Sequence, residues 1–275
     1  MQRISILGCG WLGWPLAIQL QQAGHFVRGS TTTPDKVPLL EEDGIEPWVL
    51  SLDPDSSGDE LASFLDADTL ITAIPPLRIA DRVAGMRAQA ELLIPVIRHA
   101  PVRRFIMVSS TGVYGSMGQD ADENDPHPPD TETGAALLAM ENLFLERLDR
   151  SVAIVRLAGL MGPGRDPGRF LAGKSVSGNG SEPVNMIHLN DATGVIQALV
   201  AHTGPSGRFN ACAREHPDRQ TFFGRASQLS GRKPPRFTDS DPRPWKRIVS
   251  EKIRKHTGYR FHFDDPVLAL EALQK

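Results

Sequence analysis

Near the start of the chain Ile4-Ser5-Ile6-Leu7 is a short, apolar, β-branched run, and Leu12, Leu16, Ala17 and Leu20 follow it at the three-and-four spacing of a helix. The alternation then repeats. His25 to Gly29 reads as a second strand once Gly24 has ended the helix, Glu46 to Leu50 as a third, Thr69 to Ile74 as a fourth broken by Pro75 and Pro76, and Arg104 to Val108 as a fifth. Between the last two, Val83, Met86, Ala90, Leu93 and Ile97 predict an amphipathic helix over 79–99 that carries Pro95 inside it. Leu137, Met140 and Phe144 mark a further apolar stripe, and 191–200 reads as a helix capped by Asn190 or Asp191. Strands alternating with helices predict an α/β fold, a doubly wound parallel sheet whose site lies at the carboxyl ends of its strands.

The turn between the first strand and helix, Gly8-Cys9-Gly10-Trp11-Leu12-Gly13, sharpens this to a Rossmann-type sheet. Gly8 permits the tight turn, Gly10 lets a pyrophosphate approach the backbone, and Gly13 lets helix and strand pack closely. Trp11 and Leu12 offer N–H groups at the positive end of the helix dipole, where a phosphate is favoured. An NAD site would carry an acidic residue after the second strand for the ribose 2′-OH. Here Ser30, Thr31, Thr32 and Thr33 follow instead, with Arg28 and Lys36 near by, which favours NADP. A competing role for Thr32 and Thr33 is to cap a helix starting near Pro34. Asp53, and Ala73, Ile74 and Pro75 at the end of the fourth strand, complete the expected cofactor site.

Composition changes little. The 275 residues are 40% hydrophobic with a net charge of -3, enough for a full core, and no apolar run approaches the ~20 residues of a membrane helix. A cytoplasmic protein is expected, binding neither membrane nor nucleic acid, with a small-molecule substrate as partner and a homodimer allowed. Cys9 and Cys212 are too few for a disulfide framework, and Cys9 reads as a small packing residue. Eleven Lys or Arg between Arg225 and Arg260 face only Asp239, Asp241 and Glu251, a bias that reads as a solvated face or internal pairing. No metal is expected, because no His has metal-ligand spacing with another ligand.

The fifth strand runs into Ser109-Ser110-Thr111-Gly112-Val113-Tyr114-Gly115. With the glycine turn, Val155 to Gly164, Asn185 to Ala192 and Phe209-Asn210-Ala211, this resembles the extended short-chain dehydrogenase/reductase superfamily, and specifically an atypical, NAD-dependent epimerase/dehydratase-like branch. The resemblance implies a Ser or Thr after the fifth strand that polarises the substrate, and Tyr-x-x-x-Lys on the next helix, whose ammonium lowers the phenol pKa across one helix face. Ser110 matches the first. Thr133 and Leu137 stand where the Tyr and Lys belong, and neither can move a proton near neutral pH. Ser110 and Tyr114 remain as candidate catalytic residues, against a loop hydrogen bond for Ser110 and pocket lining or packing for Tyr114; Tyr114 or His188 is the candidate replacement acid.

Residues 1–160 are expected to form the dinucleotide domain, with helix 191–202 returning to it, and 161–275 a smaller substrate lobe. Asp120 to Asp130 reads as a polar loop, 162–169 as a mobile substrate loop, and helices are expected near 221–229 and 245–257. Arg165, Arg169 and His188 are the candidate substrate contacts, with Lys174 near by. Two functions fit: an NAD(P)-dependent oxidoreductase or epimerase-like enzyme with a non-standard site, acting on a small anionic or sugar-derived molecule, or an NADP(H)-binding sensor or interaction protein without turnover.

Overall fold

The computed structural model describes residues 1–52, 58–75, 81–202, 204 and 206–273. Strand β1 (Arg3–Leu7) buries Ile4, Ile6 and Leu7 and leads through the glycine turn into helix α1 (Gly13–Gln22), whose Leu16, Ala17 and Leu20 form the buried stripe. β2 (Phe26–Thr31), α2 (Val37–Glu42), β3 (Glu46–Val49), α3 (Gly58–Phe64) and β4 (Thr69–Thr72) continue the alternation. Helix α4 (Arg82–His99) is capped by Asp81, whose carboxylate accepts from Ala84 N–H, and it accommodates Pro95 in its last turns. β5 (Arg104–Ser110) crosses the middle of the core. It is followed by the short β6 (Gln119–Ala121), α5 (Glu132–Arg147) and β7 (Ser151–Leu157).

Beyond residue 157 lie β8 (Gly159–Met161), β9 (Ser175–Val176), β10 (Met186–His188), α6 (Leu189–Ala201), β11 (Gly207–Ala211), α7 (Arg219–Leu229), β12 (Arg236–Phe237), β13 (Lys246–Ile248), α8 (Glu251–Thr257) and α9 (Pro266–Ala272). Seven strands form one parallel sheet in the order β11-β7-β5-β4-β1-β2-β3. Strand order reverses around β1, so the crevice for a ligand opens at the carboxyl ends of β1 and β4, beside the glycine turn.

Three parallel two-stranded ribbons, β8 with β10, β9 with β12 and β6 with β13, tie distant segments together. The last corrects two sequence expectations. Gln119–Ala121 opens the expected polar loop as a strand, and the expected helix over 245–257 begins only at Glu251. Ala121 and Ile248 are buried while Asp120 and Arg247 face out and pair at 2.6 Å, the period-two pattern of a half-buried ribbon.

Residues from Met161 onward build a small separate core of Met161, Val184, Met186, Phe222, Phe223, Ala226, Ala269 and Leu270. The chain beyond 161 returns to the main body more than expected. Besides α6, β11 adds an edge to the main sheet through buried Phe209 and Ala211, and Ile248 and Ile253 join the main core. Of the eleven cations of the basic C-terminal stretch, three pair internally with carboxylates among the described residues: Arg225 with Glu271, Arg247 with Asp120 and Arg254 with Asp264. No helix among the described residues is long and apolar enough to cross a membrane, and none of their side chains cluster as a metal site.

Candidate dinucleotide site

Gly8 has φ of +104°, and the backbone of Ala73 and the side chain of Ile74 lie 3.0–3.1 Å from where a Cβ would stand. Left-handed φ and close approach both demand glycine there. A Cβ on Gly13 would overlap the Gly8 carbonyl oxygen, whereas one on Gly10 meets open space. The three glycines thus have three different surroundings. Trp11 and Leu12 N–H find no backbone acceptor among the described residues, and Leu12, the N-cap of α1, makes no side-chain cap. These donors leave the positive end of α1 uncompensated beside Gly10, which lines the crevice.

β2 supports the turn from beneath. Ser30 Oγ accepts from Gly8 N–H at 2.9 Å, and Ser30 carbonyl accepts from Cys9 N–H at 2.7 Å. Burial pushes the Cys9 thiol up to about 12, and its sulfur fills the space above Gly29, so it packs and does not react.

A cavity of about 1200 Å³ opens over this turn. Of the expected cofactor residues, Gly8, Gly10, Ser30, Thr31, Thr32, Lys36, Ala73, Ile74 and Pro75 line it, as do Cys9 and Thr33. Asp53 lies outside the described residues. Gly13 acts through Gly8, and Trp11 and Leu12 sit at the α1 entrance without lining the cavity. Among the hydroxyls, Ser30 holds Gly8, and Thr31 Oγ1 accepts from Thr33 N–H, leaving Thr32 and Thr33 exposed. Thr33 does not cap the 3₁₀ turn at Pro34–Lys36 through its side chain. Arg28 is not at the site: it pairs with Glu46, donates to the Ser63 and Asp66 carbonyls and stacks beside Trp48.

The α4 wall, Ala84, Gly85, Arg87, Ala88, Gln89, Glu91 and Leu92, escaped the sequence reading. The apolar stripe of α4 identifies the core side only. Its signal for the cavity was the small-residue patch Ala84, Gly85 and Ala88 on the neighbouring face, with Arg87 unpaired among the described residues.

The expected catalytic residues lie elsewhere. Ser110, half-buried at the end of β5, accepts from Gly112 N–H at 3.1 Å, the loop hydrogen bond that was its alternative role. Tyr114 is 1% exposed and does not line this cavity; of its two alternative roles, pocket lining and packing, it takes packing. Its phenol donates to Asn210 Oδ1 at 2.7 Å and accepts from Arg156 at 2.6 Å, and burial pushes its pKa up to about 12 against the pull of Arg156. Arg156 also forks onto Glu141, which accepts from Ser109 Oγ and Arg208 as well. This buried network was missed. Its sequence sign was Glu141 standing four residues from Leu137 on the apolar face of α5.

Thr133 sits half-buried in the first turn of α5, with Thr131 as the cap, and Leu137 is 5% exposed in the core. Their helix approaches the β5 loop so closely that a Cβ on Gly134 would overlap the Gly112 carbonyl.

The 162–169 segment, expected as a substrate loop, is bonded within itself and to α7's C-cap Ser230. Arg165 N–H donates to the Gly162 carbonyl, and Asp166 accepts from Gly168 N–H and Ser230 Oγ. Trp11 Nε1 donates to the Pro163 carbonyl at 2.7 Å, and the Arg165 guanidinium lies over the Trp11 ring at 5.4 Å. Arg169 is exposed in the turn Pro167–Arg169, and Lys174 donates to the Phe170 carbonyl.

His188 is the N-cap of α6, its ring accepting from Asn190 N–H and lying 4.5 Å from Phe263, buried away from the cavity. It takes the capping role expected of Asn190 or Asp191. Asp191 instead accepts from Tyr259 Oη, His262 N–H and Phe263 N–H, pinning the C-terminal segment.

Burial lowers the pKa of His188 and His216 below the ordinary 6.5, as it does for His25 and His256. Their neutral forms belong to the folded state, so their contribution is full above about pH 6.5 and is lost as pH falls towards the depressed folded values. Tm is therefore expected to drop between about pH 7.5 and about pH 5, before most carboxylates titrate. A Tm unchanged across that interval contradicts it.

The model of the NAD dependent epimerase/dehydratase family matches residues 4–212. Protein YeeZ of Escherichia coli (strain K12) is 36% identical over 272 residues, 98% of each chain. A functionally unknown conserved protein from Silicibacter pomeroyi DSS shares 25% identity at a TM-score of 0.79, with 100% of this chain and 98% of that one covered. UDP-glucuronic acid 4-epimerase from Bacillus cereus, solved with UDP-glucuronic acid and NAD, shares the fold at 17% identity and a TM-score of 0.80, covering 99% and 98%. Sheet order, glycine turn and family match converge: this chain belongs to the NAD dependent epimerase/dehydratase family.

Proposed function

We propose that the protein is an NADP-preferring oxidoreductase or epimerase-like enzyme that acts on a small anionic or sugar-derived molecule through a non-standard active site. The observation that carries the reading is the cavity lined by Gly8 and Gly10 together with Thr32, Thr33 and Lys36, with the free Trp11 and Leu12 N–H groups next in the chain at the start of α1. Bound there, a nicotinamide dinucleotide would supply hydride transfer. The chain's own part is to seat it: Trp11 and Leu12 N–H on the pyrophosphate, and Lys36 with the two exposed threonines on a 2′-phosphate. Among the described residues the one acidic side chain lining the cavity is Glu91 of α4, which pairs with Arg147, and none lining it follows β2 to take the ribose 2′-OH of NAD. The Bacillus cereus epimerase and its UDP-sugar support an anionic, sugar-derived substrate class.

A second reading, dinucleotide binding without turnover, is favoured by Leu137 in the core and by the engagement of Tyr114 and His188 in structural bonds. Titration of NADPH and NADH, followed by a turnover screen against UDP-sugars, separates the two. Lys36→Ala is expected to weaken NADPH about tenfold and NADH less than about twofold, the loss of one charge-assisted contact. Equal losses, or tighter NADH binding by the unmodified protein, would overturn the NADP preference. Binding with no turnover of any UDP-sugar favours the second reading.

A further inference from the structure

The Gly162–Arg165 segment meets the glycine turn at Trp11. The Gly162–Arg165 turn is closed by bonds in both directions between its end residues. Gly162 packs so closely on Trp11 that a Cβ there would stand 3.0 Å from the indole and closer still to Leu189, and Trp11 Nε1 is fixed on the Pro163 carbonyl. The result is a guanidinium, that of Arg165, carried on the face of the indole one residue after Gly10. Among the described residues Arg165 has no carboxylate partner, although Asp166 is its neighbour; Asp166 is occupied by Gly168 and Ser230. A cation stacked on an indole loses little orientational freedom when it binds, and it keeps its N–H edge available.

Resting on the dinucleotide reading above, we infer that Arg165 is a binding residue for the cofactor pyrophosphate, supplied by the lobe across the glycine turn and held in place by Trp11. The backbone donors of Trp11 and Leu12 would grip the diphosphate from the α1 side and the guanidinium from the lobe side. This reassigns Arg165 from substrate to cofactor. It also makes dinucleotide binding a clamp that ties the two parts of the chain together.

The test is calorimetric binding of NADPH and of adenosine 2′-monophosphate, which lacks any 5′-phosphate, to the full chain and to Arg165→Ala, Trp11→Leu and the double variant. Arg165→Ala is expected to weaken NADPH about tenfold and to leave the monophosphate unchanged. Trp11→Leu is expected to lose a similar amount, and the double variant no more than the larger single loss, because stacking and contact act as one unit. Unchanged NADPH affinity in Arg165→Ala, equal losses for both ligands, or fully additive losses would overturn the inference. Absence of dinucleotide binding by the unmodified chain is a different outcome and defeats the underlying reading itself.

Discussion

Gly13→Ala is expected to lower Tm by about 5–10 °C and to weaken NADPH binding at least tenfold, the scale of overpacking at a site without slack. The added methyl would overlap the Gly8 carbonyl oxygen, which belongs to the backbone and cannot swing aside like a side chain. Relief requires α1 to move away from β1. That shift pulls Gly8 from its bond to Ser30 and displaces the Trp11 and Leu12 donors from the crevice. Melting and calorimetric titration of the same preparation read both effects; a stable variant with full affinity would show that helix and strand tolerate separation.

The second large effect is expected at Glu141, which is fully buried and holds Arg156 and Arg208 together. Glu141→Ala leaves the Arg156 guanidinium buried without its counter-charge, and removing one partner of such a pair costs about 3–5 kcal/mol. The disturbance would pass through Arg156 to Tyr114 and Asn210, and so to β6 and the Val249 carbonyl, where Asn210 Nδ2 donates. Urea unfolding is expected to show the loss. Glu141→Leu with Arg156→Met, which removes both charges, should recover a large part of it. A Glu141→Ala midpoint equal to that of the unmodified protein would contradict a structural role for the pair.

What could be read from sequence was what is local. Ile4 to Leu20 carries its strand, turn and helix within seventeen positions, and the order of β1 to β5 followed from periodicity alone. Residues that line the cavity were legible where they follow a strand closely in sequence, as at Gly8, Gly10, Thr32 and Lys36. What depends on distant pairing was not. Asn210 meets Tyr114 across 96 positions, Arg247 meets Asp120 across 127, and Trp11 meets Pro163 across 152; no window of sequence contains both partners. The partners of Tyr114 were hidden for this reason, since nothing near it in sequence announces Asn210 and Arg156. His188 misled in a similar way: an imidazole beside an expected pocket is also a good helix cap, and the cap is what the fold uses.

Gly10→Val tests most directly whether the cavity over the glycine turn binds a dinucleotide through its pyrophosphate. Gly10 has no positive φ, and a Cβ there meets nothing within 4 Å, so the side chain costs the fold little and Tm should stay within about 2 °C. The same side chain would fill the space in which the pyrophosphate approaches the backbone. Calorimetry is expected to give clear NADPH binding by the unmodified protein and at least a hundredfold loss in a Gly10→Val variant that melts normally. Equal affinity in the two proteins, or no dinucleotide binding by the unmodified chain, would contradict the assignment.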